Sequence, residues 1–440
     1  MNLAGSEISL LSAGLLVSLA WGFGCSDTLD ATGSDAKDLR SPPDARAPAR
    51  VFERSIRAGT DNEVELTVMP NATCQLHEPS SMTPDDAIEL YSDDAGYLSF
   101  MASPDEPGGA GDLELDCVDD SGKSSSYRLH LKSTADPVAS PQRPVRGTRR
   151  PPLTGDPNAF TNAQLLSLGF PPRPSPAAPA SAHREWERMA RQPATLLFPR
   201  LVKTPRRADV ATDIWAGYST TSPGPYAQIQ GTWTVPLVSG EVGVTDVASL
   251  WIGLNTNADG LWQAGTLHDV RTIKFLGMRL ALRSNSAFFE LLPAGASQLA
   301  GFPANPGQQM NVWVWMGDAI GNVDANGAYG WWFIENATAG VGTCGYVPLA
   351  GTNTNYVSGI WIAERYKTHA VEPPYNHLAN FGTVTLSRAY AGTASGAWPY
   401  SWLGPAAIAM TEPSTGHTLA QAYADPVDGA ALRLVWRNFN

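Results

Sequence analysis

"ASLWIGLNTNADGLWQAG" (residues 248–265) sets two apolar runs on either side of a polar Asn-Thr-Asn-Ala-Asp-Gly stretch. Bulky apolar residues alternate with small ones in each run, and Asn, Asp and Gly are the residues that turn a chain. The reading is strand, turn, strand. One residue resists it: Gln263, an uncharged amide between Trp262 and the Ala264-Gly265 pair, with little charge nearby.

The same pattern extends outward from about residue 209 to the C-terminus. "AQIQGTWTVP" (227–236), "MNVWVWM" (310–316), "GWWFIENA" (330–337), "FGTVTLS" (381–387) and "ALRLVWRN" (431–438) alternate between Gly, Pro and Asn turns. No helical period longer than two turns survives between them. Many short strands at this spacing imply two packed antiparallel sheets.

Upstream the chain changes character three times. Residues 51–133 hold short strands such as "EVELTVM" (63–69), "DLELDCV" (112–118) and "YRLHLKS" (127–133), separated by "DDAG" and "DDSGK" turns. They read as a small β-sandwich stapled by Cys74–Cys117, with Cys344 left as a buried apolar thiol. Residues 134–208 read as a proline-rich, propeptide-like linker, its "RGTRR" and "KTPRR" stretches solvated. Within it "FTNAQLLSLGFPP" (160–172) predicts a short helix capped by Thr161 and stopped at Gly169, and a second helix is expected from Ser181 through "REWERMAR". Residues 26–50 are a polar tether.

The first residues, "ISLLSAGLLVSLAWGFGC" (8–25), form an apolar run of signal-peptide length, too short to span a membrane comfortably. Gly24-Cys25 before Ser26-Asp27 resembles a bacterial lipoprotein cleavage site, with Cys25 as the lipidated residue. Gly22 in place of the usual leucine keeps ordinary signal-peptidase cleavage open. Export to the cell envelope or medium is expected, and it makes disulfides possible.

Composition excludes some functions. With 440 residues, 16% charged residues and a net charge of −12, the chain lacks the basic face that a nucleic-acid partner needs. The 41 Gly, 35 Pro and 14 Trp suit turn-rich β structure. "GVGTCG" (340–345) matches a dinucleotide fingerprint formally, but Pro348 forbids the helix that should follow. No H-E-x-x-H or C-x-x-C occurs and the seven histidines are scattered, so no metal and no cofactor is expected. Ser395 in "GTASG" lacks the spacing of a nucleophile elbow.

Three segments remain: "ASLWIGLNTNADGLWQAG", "AFFELLP" (287–293) and "SGIWIAERY" (358–366), with "WAGY" (215–218) and "WTVP" (233–236) upstream and "LANFGTVTL" (378–386) downstream. In this order they resemble the G1 family of glutamic peptidases, the eqolisins, over roughly residues 209–440. The resemblance implies an all-β fold, a two-sheet antiparallel β-sandwich of the concanavalin A-like, lectin–glucanase type. It implies Gln263 and Glu364 as the catalytic pair, with Glu290 and Trp251 lining the substrate groove. The chain departs from the family pattern at Ala264, at Ile360 in place of an acidic residue, at Asn255 in place of an aspartate, and in lacking a cysteine just before the glutamine. These changes bear on subsite preference and pH profile.

The chemistry gives a reason for the amide. A carboxylate can hold and deprotonate a water, but while ionised it cannot donate to an oxyanion; a neighbouring amide can, and it does not titrate. The expected function is an exported, acid-acting endopeptidase, a monomer taking polypeptide substrates, attached to a membrane only through a lipid on Cys25. The alternatives are a glycoside hydrolase using Glu290 with Glu364, and a non-catalytic lectin-like sandwich. Which of Gln263 and Glu290 lies nearer Glu364 separates the first two.

Overall fold

Alternating apolar residues form the strands of the C-terminal half, and antiparallel pairing assembles them into two sheets in this computed structural model. The structure describes residues 26–27, 50–79, 87–136, 138, 147–203, 213–222, 224–256, 260–275, 278–349, 355–366 and 376–438. The candidate lipidation site Cys25 and the apolar leader lie outside them.

The first sheet runs Arg200–Lys203, Ala296–Ala300, Met278–Leu291, Leu261–Phe275, Thr245–Asn255, Ser358–Glu364, Trp215–Thr220 and Pro405–Thr411. Every neighbouring pair in it is antiparallel. The second sheet centres on Val341–Pro348, Tyr329–Asn336, Gln309–Gly317, Gln228–Thr234 and Thr383–Gly392. "GVGTCG" thus enters a strand, as Pro348 requires.

The period of two decides what each strand buries. Ile252, Leu254, Trp262, Ala264, Phe289 and Trp361 point into the layer between the sheets, where they meet Trp233, Val312 and Trp332. Trp251, Leu267, Phe288, Ile360 and Ile362 point the other way and form a separate apolar cluster with Trp215 and Tyr366. Gln263 shares that outer face. The first sheet therefore has one face for the core and one for the site.

The N-terminal strands make a five-stranded sheet, Arg50–Arg57, Ser124–Thr134, Ala110–Asp119, Ala72–His77 and Ile88–Tyr91, and Cys74 and Cys117 face each other in register and are bonded. This unit is fused to the first sheet. Tyr97–Pro104 pairs with residues 280–283 of the Met278–Leu291 strand, and Ile273, Met278, Leu280 and Leu282 complete its core. Arg283 Nη1 sits 3.0 Å from Asp61 Oδ1 across the junction.

Between the two units, Asn162–Ser167 is a helix whose Thr161 cap exchanges hydrogen bonds with Gln164, a capping box, and Gly169 follows at φ +77°. The second helix spans Ala180–Ala190. Leu165, Leu166, Trp186 and Met189 pack on Trp315, Trp331 and Phe333 of the second sheet.

Two expectations are corrected here. In "RGTRR", Arg150 is buried rather than solvated: its guanidinium donates to Glu335 Oε1 at 2.8 Å and to Gly169 O at 2.9 Å, and lies over the Phe170 ring. Glu335 also accepts from Asn311, so the charge enters the interior paired and hydrogen-bonded. Cys344 is buried, as expected, but as half of a disulfide and not as a thiol.

Candidate active site

Glu364 ends the Ser358–Glu364 strand, where it pairs in register with Ser249 on one side and Trp215 on the other. All three side chains, with Trp251 two residues along from Ser249, stand on the outer face. Both carboxylate oxygens are held. Oε1 accepts from Trp215 Nε1 at 3.1 Å; Oε2 accepts from Trp251 Nε1 at 2.8 Å and from Ser249 Oγ at 3.2 Å. None of these three donors is charged. The next residue points to the other face, as strand geometry requires, and its Nη1 bonds Glu412 at 2.7 Å.

Gln263 stands on the Leu261–Phe275 strand opposite Gly253 on one side and Glu290 on the other. Its Nε2 donates to Glu290 Oε2 at 2.5 Å, and its Oε1 is buried with no hydrogen-bond partner among the described residues. One amide proton is thus committed to Glu290, which fixes the plane of the amide and leaves a second N–H for a ligand. Gly265, two residues on, faces Trp251. A Cβ there would come within 2.1 Å of the Leu250 carbonyl oxygen and 2.5 Å of Trp251 Cβ, so only a bare backbone lets the two strands approach this closely at Trp251.

Register also sets the spacing. Glu364 and Gln263 lie on the two strands flanking Thr245–Asn255, four residues apart along it, with Trp251 between. A flat sheet would put their Cα atoms about 16 Å apart, and those of Glu364 and Glu290, one strand further, about 20 Å apart. Gln263 is therefore nearer Glu364 than Glu290 is.

The whole cluster is buried in the full chain: Gln263 at 0%, Glu364 at 2% and Glu290 at 3% exposure. At one edge, burial lowers the Lys203 ammonium below its usual range while the Glu290 carboxylate acts to raise it. Lys203, on the Arg200–Lys203 strand, thus lies near the site.

All four site residues named from sequence lie on this one face, but their partnerships differ from the expected ones. Glu290 holds Gln263, and Trp251 holds Glu364. Sequence reasoning missed Ser249 as a donor and gave Trp215 no role. Strand alternation places Ser249 on the side of Trp251, but only the pairing with the 358–364 strand aims either at Glu364.

A buried carboxylate, Glu364, and a buried amide, Gln263, thus stand on one face of one sheet of the sandwich. Residues 213–428 match the family model described as the Peptidase A4 family, and this part of the chain belongs to that family, the glutamic peptidases. Among solved structures, scytalido-glutamic peptidase with a transition state analog inhibitor is similar at 13% identity, covering 51% of this chain and 98% of that one, with a TM-score of 0.40. SCP-B, an eqolisin in complex with the tripeptide Ala-Ile-His, gives 12% identity, 51% and 98% coverage and a TM-score of 0.39. Aspergilloglutamic peptidase from Aspergillus niger gives 20%, 44% and 99%, with a TM-score of 0.32. No curated protein matches the sequence.

Proposed function

We propose that the chain is an exported endopeptidase, made in a latent form, that cleaves peptide bonds under acid conditions with Glu364 and Gln263. Glu364 takes the proton of an attacking water. The free N–H of Gln263 then donates to the oxyanion of the tetrahedral intermediate. The observation that carries this reading is the pair of anchors: three neutral donors on Glu364, and Glu290 on the Gln263 amide. Each fixes the orientation of one group of the pair.

The buried Gln263 amide oxygen is left to accept from the same water that Glu364 holds. Burial of the site supports latency, since a carboxylate at 2% exposure has no access to a polypeptide until something is displaced. The N-terminal half is the candidate, with processing between about Arg143 and Ala211. Export rests on the leader of residues 8–25.

The test is digestion of denatured casein across pH 2–7, with Gln263→Ala as the control. Acid-limited cleavage that the variant lacks supports the reading. Hydrolysis of a β-glucan by the same preparation, with casein left intact, would favour the carbohydrate reading.

A further inference from the structure

We propose a divalent transition-metal site, of the zinc class, formed by Glu241, Asp246 and His377 at the end of the sandwich away from the catalytic face. Asp246 begins the Thr245–Asn255 strand and points to the face opposite Ser249 and Trp251. His377 pairs with it in parallel register, and Glu241 comes from the loop that precedes the strand. Nothing in the sequence links the three, because 377 − 241 = 136 positions separate the outer two.

The donor atoms already converge. His377 Nδ1 lies 3.2 Å from Glu241 Oε2 and 3.9 Å from Asp246 Oδ1, and all three donors lie within 4.8 Å of one another. Metal–ligand bonds of about 2.0–2.2 Å at tetrahedral angles place donors roughly 3.3–3.6 Å apart, so little movement closes the set.

A second observation points to a ligand. Asp246 is fully buried, yet only Oδ2 is satisfied, by the Glu241 backbone N–H at 2.8 Å. Oδ1 is buried without a hydrogen-bond partner among the described residues and faces the cluster. Leaving such an oxygen bare is costly. An ion pair between His377 and Glu241 does not relieve it, because 3.9 Å is beyond hydrogen-bond reach. A cation seated among the three does.

The ligand types narrow the choice. An imidazole nitrogen with two carboxylates suits zinc and its neighbours, whereas calcium and magnesium take oxygen alone. Two carboxylates also carry the −2 charge that a divalent ion neutralises. The Glu241 and His377 side chains are 43% and 36% exposed, which leaves an open side for water and for entry of the ion. Loading would tie the 239–241 loop and the segment from His377 to the base of the strand that carries Ser249 and Trp251.

The experiment uses the full chain, stripped with chelator at neutral pH and titrated with Zn²⁺ alone, then with Co²⁺ for its visible spectrum. Expected are one equivalent of tight zinc, a thermal midpoint raised by several degrees, and at least about tenfold weaker binding in both His377→Ala and Glu241→Gln. Asp246→Asn should lose binding while keeping the circular dichroism spectrum; if that variant misfolds, the two half-exposed ligands still decide the matter. No saturable zinc uptake by the stripped wild-type chain would overturn the proposal. So would wild-type affinity in both His377→Ala and Glu241→Gln.

Discussion

At the scale of single residues, the site separates groups that react from groups that position. Glu364→Gln keeps the shape of the side chain and one acceptor oxygen, which can face Trp215 or the Trp251–Ser249 pair but not both, and it removes the base, so turnover should fall by roughly 10²–10⁴-fold. Gln263→Ala removes the oxyanion donor and should cost a similar factor. Trp251→Phe tests positioning: the ring stays packed, but the 2.8 Å bond to Glu364 is lost. We expect kcat to fall about tenfold or more with KM nearly unchanged, measured on a chromogenic peptide. A KM effect alone would make Trp251 a groove residue, as the sequence suggested, and nothing more.

At the scale of elements, pairing turns scattered motifs into a site. Gly265→Ala should push Trp251 off its strand and lower activity without touching a reacting group, a change that crystallography or tryptophan fluorescence would report. The Cys74–Cys117 bond closes 43 residues, worth about 4 kcal/mol by chain-entropy estimates, and its loss should destabilise the N-terminal strands. Denaturant melts of Cys74→Ser with Cys117→Ser would measure the loss. Much of this scale was legible in sequence. Period-two runs gave the strands, and Thr161 with Gly169 gave the first helix. The cross-strand cysteines could be paired because both lie in one β unit. The docking of the N-terminal unit was not legible, because Leu280 and Leu282 read as ordinary core residues whichever partner covers them. Nor was the fate of Arg150, since a buried arginine depends on a glutamate 185 positions away. Gln263 and Glu364 were found through the order of motifs; their neighbours needed the register.

At the scale of the whole molecule, two consequences follow from burial. Residues 147–203 are packed against the second sheet through Trp186, Leu165 and Trp331. Acid processing near residues 204–212 should therefore leave a nicked complex, with the 147–203 segment released only on denaturation. Sequencing both chains after gel filtration at about pH 4 checks this, and non-reducing peptide mapping identifies the partner of Cys344. If Gln263→Ala blocks the cut, it is autocatalytic. An intact and active full-length chain after long incubation would make the N-terminal half a permanent module. Acid also acts on His268, fully buried between Thr266 and Asn285, where burial pushes its pKa down from 6.5 to about 4. Between those values the unfolded chain binds a proton that the native state refuses. Stability therefore falls as pH drops from 6.5 to 4, by about 3 kcal/mol. His268→Gln should flatten that slope in denaturant melts at pH 4 and pH 7.

The claim on which the rest depends is that Glu364 activates the water. The most direct measurement is kcat for acid-processed Glu364→Gln against wild type on one fluorogenic peptide, with matched circular dichroism spectra and thermal midpoints. A loss of at least about 10²-fold is expected in the variant. Wild-type kcat in a properly folded Glu364→Gln protein would contradict it.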